Sequence, residues 1–212
     1  MNHAWSPMGG VVDGDVIPAN PALILSTKSY SRKDFELMIG FAKDEWQFFP
    51  GHSSTFRHGN EFNAISILEQ VFGKDKALSL FMSYKGLYPT HTTAQLLNDI
   101  MSMQMFKFSS LEIASNFASQ VFSTYVFQFS VDLPAGGDAI HTGDMPFIFR
   151  NFTSQDMEKW PAFEGIDTQV IARLSANFGE LYGSFIRRGD VGKPDRWPTF
   201  SFDNTNQTVL WF

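Results

Sequence analysis

Val121-Phe-Ser-Thr-Tyr-Val-Phe-Gln-Phe-Ser-Val131 is dense in β-branched and aromatic residues. Such side chains fit the pleated surface of a strand better than the crowded turn of a helix. A second run, Phe35-Glu-Leu-Met-Ile-Gly-Phe41, is mostly apolar and is followed by Lys43-Asp44-Glu45. Its length and boundary suit a buried strand, although periodicity alone does not separate it from a helix. Helical patterns fill the interval between these two runs. Strands joined by helices pair in parallel within an α/β sheet. Two parallel strands need cover on both faces, so this pair reads as part of a domain whose other strands lie elsewhere.

The intervening helices are legible from spacing. Phe62, Ile65, Leu68 and Phe72 lie three or four apart, and Gly73 closes that helix. Leu78, Phe81 and Met82 mark a second, ending near Gly86 and Pro89. Thr92 or Thr93 caps a third, with Leu96, Ile100 and Met103 on one face. Leu111 to Phe117 forms a fourth. After the second strand come a Gly-rich loop, Pro134 to Asp144, and a long final helix from about Thr168 to Arg187. Val170, Leu174, Phe178, Leu181 and Phe185 form its apolar stripe, and Gly189 ends it. Ahead of the first strand, Met8 to Pro18 is rich in Gly and Asp and reads as turns, and Ala22 to Ser26 suits a short helix.

Composition excludes several function classes. The chain has 212 residues, 22 acidic against 16 basic side chains, and a net charge of −6. That balance lacks the basic field of a nucleic-acid binder. Hydrophobic residues at 43% and 23 phenylalanines exclude a disordered chain. There is no cysteine, which removes disulfides, thiolate metal sites and a cysteine nucleophile. No basic-then-apolar leader is visible, and no stretch approaches the ~18 apolar residues of a membrane helix. As written, the sequence predicts a cytoplasmic chain without membrane contact. Asp13 and Asp15 are ordinary turn residues rather than a metal pair, and no histidine has metal-ligand spacing. His3, His52, His58 and His91 are read as surface residues.

Four stretches, in this order, carry a family resemblance: Val11-Val-Asp-Gly-Asp-Val-Ile-Pro18; Met38-Ile-Gly-Phe-Ala-Lys-Asp-Glu-Trp-Gln-Phe-Phe49; Gly137-Asp-Ala-Ile-His-Thr-Gly-Asp-Met-Pro-Phe-Ile-Phe149; and Phe185-Ile-Arg-Arg-Gly-Asp-Val-Gly-Lys-Pro-Asp-Arg-Trp-Pro198. Together they resemble the C-terminal part of type-B carboxylesterases, the cholinesterase-like branch of the α/β-hydrolase fold. The resemblance spans nearly the whole chain, residues 1–212. It implies the last two parallel strands of the sheet, a helical insertion between them and a long final helix. The implied reaction is hydrolysis of a small-molecule carboxylic ester through an acyl-enzyme, with no cofactor.

The resemblance also implies roles for residues. The family's triad runs Ser, then Glu or Asp, then His. Glu45 stands at the place of the acid, with Asp44 as its competitor. His141, within His-x-x-Asp-x-Pro-Phe, stands at the place of the base. An imidazole can take a proton from serine and return it to the leaving group, while a buried carboxylate fixes its tautomer. Phe48 and Phe49 follow the acid where relatives place pocket-lining aromatics, core packing being the alternative. Trp46 stands where relatives commonly have glycine and is expected to narrow the adjoining space. Asp144 is either a supporting partner of the base or a turn residue.

The nucleophile is not in this sequence. The family's serine lies in Gly-x-Ser-x-Gly, and Gly51-His-Ser-Ser-Thr55, the nearest approach, lacks the last glycine and follows the acid. Three readings follow: a piece of a whole esterase, one half of a split enzyme that pairs with a serine-bearing N-terminal half, or a non-catalytic binding module. Keeping both Glu45 and His141 argues against the third.

Overall fold

A computed structural model describes residues 11–20, 24, 35–48, 59–120, 122–131, 139–150, 167–192, 195–201 and 209–212. Strand β1 (Glu36–Ala42) runs parallel to β2 (Ser123–Phe129), with Glu36 opposite Ser123 and Ala42 opposite Phe129. A third strand, β3 (Val209–Trp211), lies parallel on the other side of β2, giving the order β1-β2-β3. The sequence predicts two strands, so β3 is an addition. At three residues it is too short to show the alternation by which strands are recognised.

The strands divide their side chains by the two-residue period of the pleat. On one face Tyr125, Phe127 and Phe129 pack with Ile171, Phe178 and Leu181 of the long final helix, and with Phe147 and Trp197. On the other, Phe41 and Val126 pack with Ala114 and Phe200. Gly40 sits opposite Phe127 in the β1–β2 register. A Cβ at Gly40 would fall within the Phe127 ring, which lies against the bare backbone there. That ring meets Phe178, Tyr182, Trp197 and Phe212 edge-on, at centroid distances of 5.8–6.2 Å. Edge-on contact at this range is the favoured aromatic geometry.

Between β1 and β2 the chain forms α1 (Glu61–Phe72), α2 (Lys74–Leu87), α3 (Thr93–Ser102) and α4 (Phe108–Ala118). Asn60 caps α1 through Asn63 N–H at 3.0 Å, and Gly73 ends it at φ 81°. Thr92 and Gln95 form a reciprocal capping box at the start of α3. The chain continues from α3 to α4 through one wide turn, Met103–Lys107, in which Phe108 N–H reaches back five residues to Met103 C=O. Trp46, Ala64, Leu68, Ala77, Phe81, Leu96 and Ile100 share one buried cluster among these helices. Phe62, Leu78 and Met82, read from the sequence as buried-face residues, are exposed. Ala64 and Ala77 occupy the contact instead, because small side chains let the helix backbones approach.

After β2 come α5 (Met145–Phe149), a stretch just past the expected loop to which the sequence assigns no element, and α6 (Thr168–Arg188), which Gly189 ends at φ 75°. Asp167 caps α6 through Gln169 N–H at 2.8 Å. The Asp-Gly-Asp segment is a turn: Asp13 accepts the N–H groups of Asp15 and Ile17, both at 3.0 Å. Those two bonds hold the Asp13 carboxyl below the usual carboxylate range. Among the described residues no cluster of three His, Asp or Glu suits a metal ion, and no helix is long and apolar enough to cross a membrane. The expectations for Phe49, Gly51 to Thr55, Pro134 to Asp138, His3, His52 and His58, and nearly all of the helix expected over Ala22 to Ser26, lie outside the described residues.

Among the described residues β1 pairs with β2 alone. Leu37, Met38 and Ile39 are partly exposed, whereas β2 is buried from Thr124 to Phe129. A parallel strand with an open edge and thin cover invites another strand. Size-exclusion chromatography of the chain is therefore expected to show species above the 24.0 kDa monomer that grow with concentration. A monodisperse monomer with cooperative unfolding above ~60 °C, high in the mesophile range, would show that this edge needs no cover.

Candidate active site

Backbone pairing continues past the ends of β1 and β2 and brings two distant segments together. Lys43 N–H donates to Phe129 C=O at 2.8 Å, and Asp44 N–H to Ala139 C=O at 2.9 Å. Asp44 and Ile140 form a parallel bridge. The next residue on each side is Glu45 and His141. His141 Nδ1 lies 2.6 Å from Glu45 Oε2, across 96 residues of sequence. Glu45 opens a single 3-10 turn, Glu45–Phe48. Its other oxygen, Oε1, accepts Ala42 N–H at 2.7 Å, so the carboxylate is held at both oxygens.

The two side chains differ in exposure. The Glu45 side chain is 7% exposed and that of His141 is 34% exposed. A carboxylate this buried is tolerated because it is paired and hydrogen-bonded. The loop that presents His141 is tight. Thr142 has φ 66°, a left-handed conformation that costs a β-branched residue energy. At Gly143 a Cβ would come within 2.9 Å of Ile140 C=O, so the turn has no room for a side chain. Phe106, at the wide turn between α3 and α4, lies against the His141 ring with centroids 5.2 Å apart.

Three further charged groups surround the pair. Asp44 is buried and accepts Asn98 Nδ2–H at 2.8 Å. Burial pushes the Asp144 carboxyl up; its own backbone N–H opposes that, Glu45 adds to it and His141 opposes it. Burial pulls the Lys107 ammonium down, against the attraction of Asp44, Asp99 and Glu45. On the described residues Asp144 is a turn and helix-start residue: its C=O accepts Phe147 and Ile148 N–H, both at 3.0 Å.

Trp46 packs into the helical cluster at 3% exposure. One sequence reading is overturned by the contacts. His91 is not a plain surface residue. Its ring stacks on Tyr88 at 4.9 Å and its Nδ1 lies 2.9 Å from Asp99 Oδ2. Phe48 ends the 3-10 turn that Glu45 begins. Phe106, Asn98 and Lys107 were not legible from sequence, because nothing in a helical stripe marks which residues meet a loop from another part of the chain.

The carboxylesterase family profile matches residues 2–211. A phenmedipham hydrolase of Pseudarthrobacter oxydans is 26% identical over 208 residues, covering 94% of this chain and 39% of that protein. A carboxylesterase structure from Geobacillus stearothermophilus superposes with a TM-score of 0.75 at 23% identity, covering 96% of this chain and 42% of that one. An esterase of Clostridium hathewayi superposes at 0.52 and 22% identity, over 85% of this chain and 34% of its own length. The chain thus spans well under half the length of each. The small parallel sheet with its helices is consistent with a C-terminal portion of the α/β-hydrolase fold of these structures, and the chain belongs to the carboxylesterase family.

Proposed function

We propose that this chain supplies the acid and base of a serine carboxylic-ester hydrolase, Glu45 and His141, to a nucleophile carried by a serine-bearing N-terminal half. The observation behind this reading is the 2.6 Å contact between His141 Nδ1 and a buried Glu45 carboxylate anchored by Ala42 N–H. With Nδ1 committed to Glu45, proton exchange with the serine falls to Nε2. His141 takes the serine proton as the oxygen attacks the ester carbonyl, then gives it to the departing alkoxide, leaving an acyl-enzyme and an alcohol. Water repeats the cycle, releasing the carboxylic acid and restoring the serine. Glu45 accepts from His141 Nδ1 and stabilises the imidazolium. No cofactor enters this scheme. Phe48 and Phe49, just beyond the acid, are the aromatic residues for an apolar acyl or alcohol group. The names of two relatives, a phenmedipham hydrolase and an esterase that can hydrolyse aliphatic aromatic polyesters, fit the reaction class.

The sequence contains no Gly-x-Ser-x-Gly. The chain alone is therefore expected to take no label from a serine-directed fluorophosphonate and to leave a p-nitrophenyl ester at the background rate. Stoichiometric labelling of any of its own serines would overturn the assignment of the nucleophile to another segment. Hydrolysis that appears only when a serine-bearing N-terminal half is added supports the reading. Binding of that half without hydrolysis would favour the non-catalytic module.

A further inference from the structure

We propose that Asn98 and Ser102 are positioning residues that hold the acid Glu45 against His141. The inference rests on the acid–base reading above. Asn98 and Ser102 lie four apart on α3, and so share one face of that helix. Ser102 Oγ donates to Asn98 Oδ1 at 3.2 Å, and Asn98 Nδ2 donates to Asp44 Oδ1 at 2.8 Å. The same Ser102 Oγ accepts Trp46 N–H at 2.9 Å. Two side chains of one helix therefore grip the residue before Glu45 by its carboxylate and the residue after it by its backbone.

Burial makes this arrangement stiff. Ser102 is 0%, Asn98 5%, Asp44 8% and Trp46 3% exposed. Water cannot readily substitute for bonds enclosed to this degree. The neighbours of Asn98 and Ser102 on α3 are Leu97, Ile100 and Met101, all buried. An apolar face carries two linked polar side chains only where their bonds are fully met. The opposite side of the same backbone is tied to the histidine loop, through Asp44 N–H to Ala139 C=O. Glu45 is thus clamped between α3 and the segment that carries His141. Lys43 Nζ, 3.9 Å from Asp44 Oδ2, adds only a loose charge contact.

The test reads the hydrogen bond itself. In ¹⁵N-labelled full chain, the His141 Nδ1 proton is expected as a low-field NMR resonance, assigned by its loss in His141→Gln. Glu45→Gln should remove it. Asn98→Leu and Ser102→Ala should each broaden it and speed its exchange with water about fivefold, the effect of removing one buried hydrogen bond. Ser102→Thr, which keeps the hydroxyl, should leave it in place. The Nδ1 proton of His91, paired with Asp99 on the same helix, is the internal control for a merely structural effect and should not move. An unchanged His141 resonance in both Asn98→Leu and Ser102→Ala, with Glu45→Gln still removing it, overturns the brace and leaves the acid–base pair standing. A resonance that survives Glu45→Gln overturns the pair and the brace together. If Asn98→Leu also disturbs His91, Ser102→Ala alone decides.

Discussion

In a reconstituted esterase, with the serine-bearing half present, His141→Gln is expected to lower kcat by about 10⁴–10⁶-fold, the range seen when a triad base is removed. Glu45→Gln should cost less, about 10³–10⁴-fold, because the imidazole remains but loses the carboxylate that fixes its tautomer. The order matters as much as the size. Glu45 holds His141 at 2.6 Å and is itself held by Ala42 N–H, so a glutamine keeps the shape but removes the charge and puts an amide NH2 donor where one of the two accepting oxygens stood. The measurement is steady-state hydrolysis of a p-nitrophenyl ester, with binding of the two halves checked separately. Retention of more than a tenth of the activity in His141→Gln would show that another residue serves as base. Asp44→Asn should be mild by comparison, since Asp44 faces Asn98 rather than His141.

Gly40→Ala is expected to destabilise the chain by about 3 kcal/mol, the upper end of the usual overpacking cost. That corresponds to a fall in Tm of about 6–12 °C for a chain of this length. The added methyl has to displace the Phe127 ring. The ring is 2% exposed and walled by Phe178, Tyr182, Trp197 and Phe212, so it has nowhere to go. Intrinsic strand preference favours alanine over glycine, so the expected sign comes wholly from packing. Thermal unfolding by circular dichroism reads the effect. A cycle with Phe127→Leu identifies its cause: the alanine should cost less in the leucine background than in the wild type. Equal cost in both would mean that the ring is not the obstacle.

The strands and helices announced themselves where side chains repeat with a clear period. Val121 to Val131 contains β2, and Thr168 to Arg187 anticipates α6 to within one residue. Periodicity named the wrong residues where contact is close. It weights large apolar side chains, so Phe62 and Leu78 were expected inside and Ala64 and Ala77 were not. The stripe on α6 is displaced for a related reason: Ile171, Ser175 and Ser184 are buried alongside Phe178 and Leu181, and serines carry no hydrophobic signal. Glu45 and His141 were singled out only through the family resemblance. No spacing rule joins residues 96 apart; that juxtaposition comes from the parallel register of β1 and β2. Asn98 and Ser102 had no signal at all, since two polar residues on an apolar helix face also describe an ordinary solvent edge.

The wide turn at Met103–Lys107 accommodates one residue more than an α-helix would over the same rise. One residue of an α-helix is about 100° of rotation. The apolar stripe that runs through Leu96 and Ile100 to Leu111 and Ala114 looks continuous on paper, yet its first half serves the helical cluster and its second half the sheet. The extra residue works as a phase shifter between two otherwise ordinary helices. It follows that this rod is insensitive to spelling and sensitive to counting. Conservative exchanges at 103–107 leave both stripes aimed where they are, while loss of a single residue there swings one stripe off its neighbour. The same loss would carry Phe106 and Lys107 away from His141 and the acidic group beside it, so the chemistry and the packing share one length constraint.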